Sequence, residues 1–176
     1  MDAPEMKTGE LHRPIKIKAI TESRYDITAS EAERGALAKR FDVPAIGRLR
    51  AVLTVTPDGE AIAAVGTLAA AWTQSCAVSG EDFAVTDSEE LSLRFVPARR
   101  DYAPDEELEL SADDLDELEY DGDSFDLGEA VAQSFGLMID PYATGPAAGT
   151  ARKNKNLSVE GEHGGPLAEM LAALKR

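Results

Sequence analysis

His12, His163 and Cys76 are the only imidazole and thiol side chains in the sequence, and they lie in unrelated segments. A zinc centre needs four such donors at close spacing, so none is expected. Asp121, Asp123, Asp126 and Glu129 gather carboxylates around Gly122 in a pattern that superficially resembles a calcium loop. That loop requires its glycine at the sixth position and a distant bidentate glutamate. Gly122 stands at the second position, and the run reads instead as a solvated acidic turn leading into a capped helix. Covalent catalysis needs a base within reach of its nucleophile. Cys76 has no neighbouring histidine, Ser79-Gly80 lacks the flanking glycines of a nucleophile elbow, and no phosphate-cradling glycine loop occurs. The expectation is a protein without a cofactor or a catalytic centre, one that works by binding.

The formal charge of −15 is unevenly spread. Residues 101–126 hold 13 Asp and Glu and no Lys or Arg, residues 1–100 hold 15 acids against 13 bases, and residues 127–176 hold 5 against 5. Such a stretch repels phosphate backbones over a Debye length of about 8 Å. Simple coating of nucleic acid is disfavoured, and DNA is not expected as a partner. A basic protein suits the charge better, because complementarity speeds encounter. Candidate contacts are Asp113, Asp114, Asp116, Glu117 and Glu119, interleaved with Leu108, Leu110, Leu115, Leu118 and Tyr120.

Basic groups are fewer: Arg48 and Arg50 on one strand face, Arg99-Arg100, and Arg152, Lys153 and Lys155. Their ordinary role is to solubilise the surface. The second reading of function is direct contact with RNA through Arg48, Arg50, Arg152, Lys153 and Lys155, since basic segments can order on binding. A last apolar stripe, Leu167, Met170, Leu171 and Leu174, either packs on the chain's own sheet or docks on a partner.

These groups need a frame, and its outline follows from periodicity. Arg13 to Ile20 alternates, with Ile15 and Ile17 on one side, as a half-buried strand does. Ser30 and Glu33 form a capping box that starts a short helix with Leu37, Ala38 and Phe41 inward and Pro44 beyond its end. From Arg48 the period returns to two, placing Leu49, Ala51, Leu53 and Val55 on one face. Thr56-Pro57-Asp58-Gly59 then reads as a hairpin turn. The returning strand runs from Glu60 to about Cys76, with Ile62, Leu68 and Trp72 together. Its many alanines argue weakly for helix, whereas Gly66 and the recurring Val, Ile and Thr favour strand. Phe83 and Val85, then Leu91, Leu93 and Phe95, suggest two further short strands broken at Asp87-Ser88. A short strand or turn is expected near Leu115 to Tyr120. Asp126 then caps the best-marked helix, with Leu127, Val131, Phe135, Met138 and Ile139 at helical spacing.

The predicted class is α+β: an antiparallel β-meander sheet or partly closed barrel with two main helices. Residues 1–12 read as a disordered segment, 13–141 as the folded domain, 142–165 as a flexible linker, and 166–176 as a short amphipathic helix. One cysteine excludes an intrachain disulfide and fits a reducing compartment. The polar start lacks a signal peptide's basic and apolar pattern, and no run reaches the roughly 20 apolar residues of a membrane span. Cytoplasmic location is expected.

In order along the chain, Cys76-Ala-Val-Ser79, Leu91-Ser-Leu-Arg-Phe95-Val-Pro97, the acidic stretch, and Gly122-Asp-Ser-Phe-Asp126-Leu127-Gly-Glu129 followed by a helix to Pro141 resemble the bacterial YceD family. The resemblance spans Ile15 to Pro141, and Pro166 to Lys175 is similar to the tail of that family. It implies a factor needed for normal levels of large-subunit ribosomal RNA. With that role, the acidic charge makes a basic ribosomal or RNA-processing protein the expected partner. Relatives commonly carry a Cys-x-x-Cys pair at this hairpin. Here Ser79 stands in the second position, so any metal or redox chemistry of that pair does not transfer.

Overall fold

The computed structural model describes residues 10–98 and 117–154. Their contacts form two compact units, one within Met1–Gln74 and Ala84–Asp140, the other within Ser75–Phe83 and Pro141–Arg176. The class is α+β as expected, with an open, mixed sheet rather than a barrel.

In the first unit a five-stranded sheet has the order β2-β3-β4-β5-β6, from β2 (Ser23–Thr28), β3 (Ala45–Asp58), β4 (Ala61–Ser75), β5 (Asp82–Pro97) and β6 (Glu117–Tyr120). Alternation puts Leu49, Ala51, Leu53 and Val55 of β3, and Ile62, Ala64, Leu68, Ala70 and Trp72 of β4, into one core. Helix α1 (Glu31–Arg40) packs on β3 through Leu37 and Ala38. Its capping box is formed, with Ser30 Oγ accepting from the Glu33 amide and the Ser30 amide donating to the Glu33 carboxylate. It ends through Asp42, whose φ of 53° lies in the left-handed region and lets Val43 N–H reach the Ala38 carbonyl.

The β3–β4 hairpin turns at Gly59-Glu60, two residues later than the motif suggested, with Asp58 paired to Ala61. Gly59 supplies the positive φ, 64°, that the first central position of such a turn needs. Pro57 lies inside the strand opposite Ile62, at a non-bonded position of that ladder, and β2 ends opposite Val55. Its missing N–H therefore costs no ladder bond. Gly66 settles β4 as a strand: a Cβ there would stand 1.9 Å from the Val52 carbonyl oxygen, so the two backbones approach too closely for any side chain.

Several expectations need correction. β5 is one strand of 16 residues, because Asp87-Ser88 continues the extended backbone on the solvent side. The sheet is not wholly antiparallel, since β6 pairs parallel to β5 in the register Arg94 with Glu117 to Pro97 with Tyr120. Two parallel strands cannot be joined by a tight turn. The strand read over Arg13 to Ile20 stops as β1 (Pro14–Lys16) and passes into a 3-10 turn, Ile17–Ala19. β1 pairs with the brief β7 (Ser124–Asp126) rather than with the larger sheet. The disorder expected over residues 1–12 does not extend to Glu10–His12, where Leu11 is fully buried.

Helix α2 (Leu127–Met138) follows β7 directly and buries Leu127, Val131, Phe135 and Met138, the positions that its spacing predicted. The Phe135 ring meets Trp72 and Phe41 edge-on at 5.5 and 5.6 Å, which fixes α2 over β4 and the end of α1. Buried Gln74 accepts from the Trp72 indole and donates to the Asp140 carbonyl, tying the end of α2 to β4.

In the second unit, residues 76–80 form a turn in which Gly80 N–H donates to the Cys76 carbonyl, and Ala77 N–H donates to the Ala143 carbonyl. A third helix, α3 (Ala148–Asn154), lies within the stretch 142–165 that was read as a linker. Only Ala148 of its seven residues is buried, so it carries no hydrophobic period from which it could be read. The helix expected over 166–176 falls outside the described residues.

Candidate functional site

Asp126 is the hub of the first unit. It ends β7, caps α2, and accepts from the Gly128, Glu129 and Arg13 amides, while His12 Nδ1 meets its other oxygen. Two of these contacts cap the helix and the two from His12 and Arg13 clamp residues 11–13 across its first turn, where Leu127 N–H also donates to the Arg13 carbonyl. Gly128 is required beneath this strap, since a Cβ would stand 2.2 Å from the Leu11 carbonyl oxygen. Arg13 continues to Glu33 at 2.7 Å, and Arg40 makes two bonds to Glu129 and one to Glu10. Hydrogen bonding by Arg13 holds the Glu33 carboxyl down to about 2, and Arg40 likewise lowers Glu129 and is itself raised. Asp126, Leu127 and Glu129, the positions that carry the family resemblance, thus hold the fold together.

This clamp sets the first turns of α2 beside β6 and leaves a cavity of about 260 Å³ between them. Phe95, Tyr120 and Phe125 line its apolar side, with the Phe95 and Phe125 rings 4.2 Å apart and tilted by 32°. Glu119, Asp121, Asp126 and Glu129 also line it, and among the described residues no lysine or arginine does. Glu119 is exposed and makes no ion pair among the described residues. Glu117 is instead matched by Arg94 at 3.3 Å, and Arg94 also reaches Asp58. Of the acidic contacts proposed from sequence, only Glu117 and Glu119 can be placed. Asp113, Asp114 and Asp116 lie outside the described residues, as do Leu167, Met170, Leu171 and Leu174.

The basic candidates that can be placed divide between the two units. Arg48 and Arg50 sit on the solvent face of β3, and Arg50 is locked by Asp26 through bonds of 2.9 and 2.5 Å. That pairing lowers the Asp26 carboxyl and raises the Arg50 guanidinium. Arg152 and Lys153 belong to the last turn of α3 in the other unit, and Lys155 is outside the described residues. Cys76 is buried, with the Ser79 amide donating to its sulfur at 3.4 Å. Hydrogen bonds from Ser79, with the Gly145 and Val78 amides, hold the thiol down to about 6.

Sequence reasoning missed the aromatic side of the cavity and Gln133 on its α2 wall. The alternation of Leu118 and Tyr120 with acids was visible, but their meeting with Phe95 depends on a parallel pairing that no local pattern encodes. Among the described residues no three His, Cys, Asp or Glu side chains come together as a metal site, and no helix is long and apolar enough to cross a membrane.

A family model described as "Large ribosomal RNA subunit accumulation protein YceD" matches residues 64–169, more than half of the chain. The match begins within β4, later than the resemblance read from Ile15, and runs beyond Pro141 through α3. No curated protein and no solved structure matches the chain.

Proposed function

The chain belongs to the YceD family, and from that premise we propose that it is a non-catalytic factor supporting the accumulation of large-subunit ribosomal RNA through a basic protein partner. The observation that carries the mode of action is the confinement of charge: 13 acids without a base over residues 101–126, a stretch that includes β6, where Glu119 stands exposed beside the cavity. A ribosomal or RNA-processing protein has the complementary charge, and association with it is faster at low salt. The setting is the cytoplasm, where Cys76 stays reduced.

Depletion in the source bacterium should lower large-subunit ribosomal RNA relative to the small-subunit species. The native chain should restore it, whereas a chain with Asp113, Asp114 and Asp116 changed to Asn should not. Full rescue by that variant would remove the acidic segment from the function. An unchanged RNA ratio on depletion would remove the function itself. Direct RNA contact is the weaker reading, because Arg50 is already neutralised by Asp26. Gel shifts on precursor ribosomal RNA that weakened on changing Arg152, Lys153 and Lys155 to Ala would favour it.

A further inference from the structure

We propose that the cavity between β6 and α2 receives one arginine side chain of the basic partner, an inference that rests on the function proposed above. The volume argues first. At about 260 Å³ the cavity falls below the roughly 300–1,000 Å³ of sites for small molecules and cofactors, and it suits a single long side chain.

The lining then selects the type of side chain. The apolar side is aromatic, with Phe125 between Phe95 at 4.2 Å and Tyr120 at 6.2 Å. Among the described residues the rim carries the acids Glu119 and Asp121 and no lysine or arginine. Phe95 and Phe125 are only 3% and 4% exposed and pack on one another, so Tyr120 presents the accessible ring. An aromatic ring beside carboxylates matches a guanidinium, which is planar, weakly hydrated and able to stack while its edge donates to oxygen. A lysine ammonium is a compact, strongly hydrated point charge and gains less from such walls. The carboxylates of Asp126 and Glu129 are engaged within the fold by His12, Arg13 and Arg40, so Glu119 is the rim acid that can turn to an incoming cation.

The surface next to the cavity extends the match. Gln133 and Leu137 are the exposed positions of α2, one turn apart on the same face, and Gln133 lines the cavity. Leu137 is 88% exposed, an apolar side chain that a partner seated at Gln133 would cover. The occupant is therefore an arginine followed by apolar surface, on a basic protein.

The test uses the full chain with two defined probes, a nona-arginine and a nona-lysine peptide, followed by amide chemical shifts and binding isotherms. The arginine peptide should bind about tenfold more tightly, with shifts at Leu118 to Tyr120, Phe125 and Gln133. Glu119→Lys, an exposed change that spares the fold, should weaken the arginine peptide about tenfold. Tyr120→Leu should keep the strand's packing and abolish the preference for arginine over lysine. Equal affinity for the two peptides, or shifts confined to residues away from the cavity, would overturn the arginine site and leave the acidic partner surface standing. Binding of neither peptide would overturn both.

Discussion

Replacing Gly128 by alanine tests whether the strap over α2 is what holds the site together. Two effects of opposite sign compete. Alanine in a helix is favoured over glycine by up to about 1 kcal/mol. Against that, the new Cβ would meet the Leu11 carbonyl oxygen at 2.2 Å and the Arg13 nitrogen at 2.9 Å, both backbone atoms with no rotamer to yield. The strap must lift. Lifting exposes Leu11, at 0% exposure worth about 1.5–3 kcal/mol. It also breaks the bonds from Leu127 N–H to the Arg13 carbonyl and from Arg13 N–H to Asp126, each about 1 kcal/mol. The net cost is about 2–4 kcal/mol once the helix gain is subtracted. Gly35 in α1 is the internal control, because a Cβ there meets nothing within 4 Å. Gly35→Ala should stabilise by about 0.5–1 kcal/mol. Urea titrations followed by the fluorescence of Trp72, buried in the same core, would give both midpoints. A Gly128→Ala midpoint at or above that of the native chain would refute the clamp.

Acid sensitivity should trace to Glu33. With its carboxyl held at about 2 against an ordinary 4.5, the Arg13–Glu33 pair contributes fully above about pH 4.5 and is lost as the pH falls toward 2. Glu33→Gln keeps the capping box and should cost about 1 kcal/mol at pH 7, after screening at the part-exposed pair, with the difference from the native chain vanishing near pH 2 in denaturant melts. Asp42→Gly should raise the thermal midpoint, gaining about 0.5–1 kcal/mol because glycine takes the left-handed φ of 53° without a Cβ penalty, whereas Asp42→Ala should give no such gain. Ser79→Ala should move the Cys76 thiol from about 6 back toward the ordinary 9.0, read from thiolate absorbance against pH, because the Ser79 side chain contributes most to holding the thiol down.

Where side chains answer to neighbours a few residues away, the sequence was legible. The Ser30–Glu33 box, the Asp126 cap and the stripe Leu127, Val131, Phe135, Met138 are all formed, since helices are specified locally. The alternation of β3 and β4 was readable for the same reason. What escaped depends on contacts distant in the chain. β7 is three residues long and exists because β1 pairs with it across more than 100 residues. The parallel placing of β6 against β5 likewise leaves no local trace. The cavity combines Phe95, Tyr120, Phe125 and Gln133 from four elements, so its acidic half could be suspected from composition while its aromatic half could not.

The run Gly122 to Glu129 carries much of the resemblance to the YceD family, and the reason each residue type stands there is mechanical. Gly122 has a φ of 84°, Phe125 stacks on Phe95, Asp126 clamps the strap, Leu127 is fully buried, Gly128 admits the strap, and Glu129 holds Arg40. Their joint product is the fixed separation of α2 from β6, and that separation is what leaves room for a single side chain beside Phe125. A motif of this kind marks a family by its scaffold, and that scaffold holds Glu119 and Leu137 outward, where the proposed partner would meet them.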